Sequence, residues 1–381
     1  MSTVVALPIN IYAEETRADP FPAYADIRDA GPVVLLDGDI TALGRFADVR
    51  AALGDWETFS SAVPGAPKGS LLFNDPPIHD TMKAIVMRPL TPARLNAIRE
   101  RITTTAEALV ADLCAKGTFD AATELAPHLP LSVVADLVGL PPEGRENMLV
   151  WARAFFNAAG PTELPLVSES LPIVAEMLGY MQDPTLPQRL RPDGWAAELR
   201  GAVDNGEIDD EQFFTMLQAY VLPSLDTTIH ATSGLVRRFA ENPDQWELVR
   251  TRPELINRAV NEGLRLEGPV QWIGRTLTRD HEIDGVPLAA GTRLLMLIAC
   301  ANRDERRFDK PDRFDVTREA ADQLGFGYGI HHCAGAALAR LEIASLIKAL
   351  IPCVERFEVL AEERAAMVNL QGAKHLHVQV S

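Results

Sequence analysis

The sequence predicts a mainly α fold, a large helical domain with a small β-rich part. Three observations predict it: apolar residues recur at helical spacing along most of the chain, Pro and Gly punctuate those stretches, and strand-like runs are confined to two short regions. The first helix falls on residues 20–29, opened by Pro20. PVVLLDGDITALGR is two apolar runs about Asp37-Gly38, a hairpin signal. From Leu90 to Lys116 a long amphipathic stretch contains Thr91-Pro92, an N-cap residue and a first-turn proline. Further helices fit 131–138, 145–158, 165–180 and 194–203. Residues 209–241 read as one unusually long apolar helix, buried on most of its surface. Another helix covers 253–267, short strands fit 274–278, 282–284 and 292–296 about the turn residues Gly285-Val286-Pro287, and a last strong helix runs from 334 to about 350.

No internal repeat and no long linker divides the chain. Its 381 residues are therefore expected to form a single domain over 1–381, although length alone would allow two. A hydrophobic content of 47%, a charged content of 23%, and ordinary glycine and proline counts exclude disorder and collagen-like structure. The net charge of −17 would repel phosphate backbones and anionic lipid heads, so no nucleic acid partner is expected. No segment reaches 18 uncharged apolar residues, and the N-terminal stretch has neither a basic n-region nor a cleavage site. The expectation is a cytoplasmic protein with no membrane span. The four cysteines, Cys114, Cys300, Cys333 and Cys353, form no CxxC pair, so neither a disulfide framework nor a zinc ribbon is spelled out and a reducing compartment is expected. Cys114, Cys300 and Cys353 lie in apolar stretches without flanking glycines and read as buried structural thiols.

Cys333 differs. It sits in FGYGIHHCAGAALARLE, where Gly327, Gly329 and Gly335 permit backbone geometry or close approach that a Cβ would forbid. It also precedes a helix, whose free N–H groups and positive dipole end favour the thiolate, a soft metal ligand. Three other readings stand beside that one: a structural cysteine in a turn, a nucleophile activated by His331 or His332, and a zinc site of His331, His332 and Cys333. The second needs hydrogen-bond geometry that adjacent residues rarely give, and the third lacks a fourth ligand at useful spacing.

The segment resembles the Phe-Gly-x-Gly-x-His-x-Cys-x-Gly signature of the cytochrome P-450 haem-thiolate monooxygenases at every fixed position: Phe326, Gly327, Gly329, His331, Cys333 and Gly335. The resemblance implies the cytochrome P-450 fold, with haem b buried between two long helices and Cys333 as the thiolate on its iron, donating electron density that favours O–O cleavage. It implies that Phe326 shields the sulfur and that glycine N–H groups, including that of Gly335, temper its charge. The haem propionates need cations or donors, and the resemblance places these at His79, Lys83, Arg275 and His331. Lys83 replaces a more frequent arginine, so a monodentate contact stands where a fork is usual. His332 falls on a variable position and is expected at the surface.

A Glu-x-x-Arg pair is supplied by Glu262 and Arg265, which at i, i+3 share a helix face; taken alone such a pair is common. The family adds a third member in a Pro-x-x-Phe context, here Arg313, and the resemblance implies a buried network of the three. In the long helix, Leu222-Pro-Ser-Leu-Asp-Thr-Thr has poor helix propensity, since Asp and Thr side chains compete with backbone bonds. By resemblance this is the oxygen-activation segment, with Asp226 and Thr227 as the acid–alcohol pair that delivers protons. Pro223 and Ser224 depart from the usual small residues. Pro223 lacks an N–H and clashes with the carbonyl of Ala219, so a kink is expected.

The implied activity is insertion of one oxygen atom of O2 into a substrate, by hydroxylation or O-dealkylation. Electrons would come from NAD(P)H through a reductase and a small iron-sulfur ferredoxin, and the enzyme would act as a monomer. The other function considered is a haem-thiolate binding or sensor protein without oxygenase turnover, which would need no acid–alcohol pair. A basic docking patch for the acidic ferredoxin is expected from Arg88, Arg94, Arg99 and Arg340. DAGPVV, PLSVVADLVGL, FNAAGP, SLDTT, PVQWIGR and ANRD resemble the bacterial branch that O-demethylates methoxybenzoates and other small aromatics. By position, Leu72, Phe156, Ala159, Leu222, Pro223, Val270 and Ile273 would wall the substrate pocket. The benzoate anchors of that branch are not clearly kept. Gln218 and Ala219 hold the helix positions and only Lys68 and Ser70 stand in the preceding loop, so a neutral aromatic such as a methoxyphenol is expected.

Overall fold

A computed structural model describes residues 4–381. Five helices make the frame: α1 (Pro92–Lys116), α2 (Asp210–Val221), α3 (Asp226–Glu241), α4 (Ile256–Glu267) and α5 (Ala336–Leu350). In α1, Pro92 takes the first turn and Gly117, at φ +73°, ends it in the left-handed region. Its buried residues, Leu95, Ile102, Ala106, Val110 and Leu113, fall three, four and seven apart, and that stripe packs against α5. Helix α4 lies between α3 and α5, burying Glu262 and Arg265 along with its apolar face.

The β-rich part is a six-stranded mixed sheet built from β1 (Val5–Ala6), β2 (Val34–Leu36), β3 (Ile40–Leu43), β4 (Phe59–Ser60), β6 (Trp272–Leu277) and β9 (Arg293–Leu297), ordered β1-β2-β3-β9-β6-β4. The expected β2–β3 hairpin is present, its loop of residues 37–39 taking positive φ at Gly38 and Asp39, one position past the Asp37-Gly38 pair. Strands β7 (His281–Ile283) and β8 (Val286–Leu288) form a separate hairpin. Strand β5 (Thr118–Asp120) pairs with β11 (Ala373–Val380), and β11 with β10 (Phe357–Arg364). The β10–β11 hairpin is absent from the sequence reading because β10 is exposed along most of its length and shifts register twice, which erases the period-two pattern.

Two expectations are corrected by the fold. Residues 209–241 are not one helix: α2 ends at Val221 and α3 begins at Asp226, with Leu222–Leu225 irregular between them. Pro223 forces the break by removing a donor and crowding the preceding turn. Two hydroxyls bond carbonyls at the interruption, Ser224 Oγ donating to the Tyr220 and Val221 carbonyls (2.7 and 3.1 Å) and Thr227 Oγ1 to the Pro223 carbonyl (2.6 Å). The expected kink is a full interruption. The second correction concerns Cys114 and Cys353, which form a disulfide, with Cα atoms 6.3 Å apart. They are 239 residues apart in sequence and meet because α1 and α5 pack side by side. Cys300 is a buried thiol as expected, its pKa pushed up by burial to about 12.

The expected Glu262–Arg265–Arg313 network is present in two of its three members. Arg265 Nε and Nη2 donate to both Glu262 oxygens at 2.8 and 2.9 Å, with both side chains fully buried. Arg313 is exposed and contributes only its carbonyl, which accepts from Arg265 at 3.4 Å. The cation that completes the network is Arg318, whose Nε donates to Glu262 Oε1 at 3.1 Å. The loop turns between them, so the expected position faces solvent and the later arginine faces α4.

On α3, His230 is 2% exposed and neither ring nitrogen has a hydrogen-bond partner. Gly372 lies against its ring so closely that a Cβ there would collide with it. Burial, with the Arg153 and Arg364 charges nearby, pulls the imidazole pKa down to about 4.

Two outcomes follow. Glu262→Ala should destabilise the chain by about 3–5 kcal/mol, since it leaves Arg265 buried and unpaired, Arg318→Ala should cost less, and Arg313→Ala should fall within about 0.5 kcal/mol of the parent. Urea unfolding at neutral pH measures all three. His230 is neutral in folded and unfolded chains above pH 6.5. Below that the unfolded chain takes up a proton that the folded one refuses until about pH 4, so stability falls through this window by up to about 3 kcal/mol. His230→Gln should flatten that limb of the stability curve, and an unchanged slope would remove the assignment.

Candidate active site

The loop before α5 folds back on itself, the Cys333 N–H donating to the Phe326 carbonyl at 2.8 Å. Gly327 and Gly329 both sit at φ +70°, and a Cβ on Gly329 would lie 2.5 Å from the Leu53 carbonyl oxygen, so this approach admits no side chain. Cys333 is half-buried ahead of the α5 N-terminus. Burial pushes its thiol pKa up, while the N–H groups of Gly335 and Ala336 and the charges of Arg340 and Lys83 pull it down. The Arg340 guanidinium lies 4.3 Å over the Phe326 ring, with its Nε on Asn261 at 3.1 Å. Arg340, expected on a docking surface, instead packs on the cysteine loop. His332 is exposed, as expected.

Four basic side chains gather beside this loop, all of them expected from the sequence. The rings of His79 and His331 stand 4.5 Å apart, and His331 Nε2 lies 2.8 Å from Ser61 Oγ. Lys83 Nζ donates to the carbonyls of Ile330 and His332, which fasten its helix to the cysteine loop. Arg275, on β6, is 6% exposed and donates to the Gly274 carbonyl at 2.7 Å. Burial pulls its pKa down to about 10. The acid acting on it, Asp75, already accepts from Ser60 Oγ and from the Ser61 N–H. The His331 pKa is lowered to about 3 by burial and then by the charges of Arg275, His79 and Lys83. A protein gains nothing from collecting mutually repelling bases around a buried guanidinium unless an anion comes between them. A group carrying two carboxylates next to a soft-metal ligand fits this cluster, and haem is such a group.

Asp226, at the start of α3, is fully buried; its Oδ1 is 3.3 Å from Arg153 Nη2 and its Oδ2 has no partner. Burial raises its pKa, and Arg153 opposes the rise. Arg153 could not be found from motif spacing, because it reaches Asp226 from a different helix, Pro142–Asn157. Thr227 is half-buried, with its hydroxyl hydrogen committed to Pro223 and its oxygen lone pairs free to accept.

The expected pocket walls are uneven. Leu222 is buried and Phe156, Val270 and Ile273 are half-buried, whereas Ala159 and Pro223 are exposed and Leu72 is 53% exposed. Leu72 lies in an irregular stretch that precedes the Ile78–Val86 helix. The expected docking patch is also corrected. Arg88 is paired with Glu207, Arg94 with Glu198, and Arg340 lies on Phe326, which leaves Arg99 with only an Asn96 contact.

No helix among the described residues is long and apolar enough to cross a membrane. The cytochrome P450 family model matches residues 236–376. Cytochrome p450 CYP199A2 of Rhodopseudomonas palustris is 35% identical over 98% of this chain and 94% of that protein. Linalool 8-monooxygenase of Pseudomonas putida is 33% identical over 83% and 78% of the two. Among solved structures, a mutant of P450 EryK in complex with erythromycin B superposes with a TM-score of 0.87 at 30% identity, covering 98% of each chain. Together with the cysteine loop and the basic cluster beside it, these similarities establish that the chain belongs to the cytochrome P450 family and is a haem b monooxygenase of that family.

Proposed function

We propose that the chain holds haem b through Cys333 and hydroxylates or O-dealkylates a small neutral aromatic substrate, with electrons from a ferredoxin. The observation that carries this reading is the gathering of Arg275, His331, His79 and Lys83 at the cysteine loop, with the Arg275 guanidinium buried and short of anions. Bound haem supplies O2 activation at its iron. Cys333 would ligate that iron, its charge tempered by the Gly335 and Ala336 N–H groups and by Arg340. Arg275, His79, His331 and Lys83 would bind the two propionates, with Ser61 orienting the His331 ring.

Asp226 is the proton donor in this reading. Its buried carboxyl has a pKa raised by burial and a free Oδ2, and Arg153, half-exposed at its outer end, links it to solvent. Thr227 donates its hydroxyl hydrogen to the Pro223 carbonyl and keeps its oxygen lone pairs free to accept, and in proton delivery its hydroxyl would turn from that carbonyl toward O2. A sensor without turnover has no use for this pair. A neutral substrate is favoured because Gln218 and Ala219 stand at the helix positions where the benzoate-demethylating branch anchors a carboxylate, and Lys68 in the preceding loop is exposed. Single-domain, monomeric organisation over 1–381 and a cytoplasmic location belong to the same proposal.

The reduced, carbon monoxide-treated protein should show the strongly red-shifted Soret band of a thiolate-ligated haem, and Cys333→Ala should lose it; a normal band in the parent overturns the ligand assignment. In the same preparation a methoxyphenol should drive a fuller high-spin shift than 4-methoxybenzoate. Asp226→Asn should lower product formation by roughly a hundredfold or more while leaving the carbon monoxide spectrum intact, and product per NAD(P)H consumed should fall with it. Unchanged coupling would remove Asp226 from proton delivery.

A further inference from the structure

Asp120, His375 and His377 meet on the outer face of the three-stranded β10-β11-β5 sheet, away from the cysteine loop. Register sets His377 of β11 directly opposite Asp120 of β5, and His375 stands two residues along the same strand. His375 Nδ1 lies 2.7 Å and His377 Nε2 3.9 Å from Asp120 Oδ2, and the three atoms all fall within 4.8 Å of one another. The imidazole planes are parallel to within 2°, with ring centroids 5.9 Å apart. The carboxylate is fixed before any ion arrives, because Oδ1 accepts from the Leu376 and Ala122 N–H groups, both at 2.9 Å. That leaves Oδ2 facing the two imidazoles. Asp120 is buried, whereas the two rings are open to solvent on their outer side.

We propose that Asp120, His375 and His377 form a site for a divalent cation of the zinc class, with two imidazole nitrogens and one carboxylate oxygen as ligands and the remaining position open to water. A hydrogen bond between His375 and Asp120 accounts for two members of the cluster and leaves His377 unexplained. His377 makes no hydrogen bond to Asp120, yet its ring is held parallel to that of His375. Tetrahedral bonds of about 2.0–2.1 Å put neighbouring ligand atoms ~3.3 Å apart, so the His375 contact opens and the His377 contact closes by roughly half an ångström each, and the two imidazole nitrogens, now within 4.8 Å of each other, close to the same spacing. Imidazole and carboxylate donors suit zinc and its first-row neighbours better than calcium or magnesium, which prefer oxygen throughout. An ion here would clasp β5 to β11 in the sheet that packs on α3, stabilising the folded chain because the unfolded one does not hold the three ligands together.

The test is a calorimetric zinc titration of the haem-loaded chain without a polyhistidine tag, with thermal unfolding in parallel. The expected result is one zinc ion per chain and a higher melting temperature in its presence. His377→Ala and His375→Ala should each weaken binding by at least about tenfold, the scale of loss that even an outer-shell change produces. His281→Ala, on the separate β7–β8 hairpin, should leave binding unchanged. The exposed His377→Ala variant should keep the metal-free melting temperature, so that its loss of binding is not loss of fold. Absence of saturable zinc binding, binding that survives His377→Ala, or an equal loss in His281→Ala overturns the proposal.

Discussion

The buried pair of Glu262 and Arg265 fixes where the chain goes between the helical frame and the cysteine. Arg265 holds Glu262 at both oxygens and also donates to the carbonyls of Asn302 and Pro311, while Glu262 accepts from the Asp315 N–H and from Arg318. Asn302 in turn accepts from the Leu324 N–H at 2.7 Å, two residues before Phe326. Residues 302–325 contain almost no regular structure, so these bonds, together with buried Phe308, Phe314 and Val316, set the path of the loop. A pair this deeply buried is a poor source of net stability compared with apolar residues of similar volume. Its contribution here is positional: the guanidinium and carboxylate are geometrically demanding, and only one loop path satisfies both.

The same logic of buried charge separates the two sides of the site. Beside Cys333, basic groups outnumber acids and His331 is depressed by burial and by its basic neighbours, which suits the cluster to anionic groups. At the α2–α3 break the group left short of partners is acidic, Asp226, with Arg153 on one oxygen only and the unpaired His230 four residues on along the same helix. Each side is costly in isolation, and in the proposed function the first would seat a dianionic cofactor and the second would supply the acid of proton delivery. The Pro223 interruption belongs to the second side. It ends α2 early, so that Asp226 opens a helix and Thr227 reaches back to the Pro223 carbonyl.

The cysteine loop was legible because its chemistry is local: glycines at positive φ, a thiol and a helix start fall within ten residues. His79, Lys83, Arg275 and His331 were legible through resemblance, although they lie on three separate parts of the chain. Arg153, Arg318 and the Cys114–Cys353 disulfide were not, because each acts across a contact that only helix packing creates. The choice of Arg313 failed for a related reason: in an irregular loop, side-chain direction has no period from which it can be read. The β10–β11 hairpin was missed because its outer strand is solvated, and with it went the His375–Asp120–His377 cluster, whose members meet only through strand register.

The sequence by itself determined the mainly α class, the helix and hairpin boundaries that carry caps, prolines or Asp-Gly turns, the family, and Cys333 as the residue to watch. Those features depend on local sterics, on periodicity and on a contiguous motif. Tertiary structure decided which arginine completes the Glu262 network, which acids neutralise Arg88 and Arg94, how far Pro223 breaks its helix, and which charges stand unpaired around Cys333 and Asp226. These depend on desolvation and on pairing between distant segments, and the energy of a buried charge is set by the partners that packing brings to it.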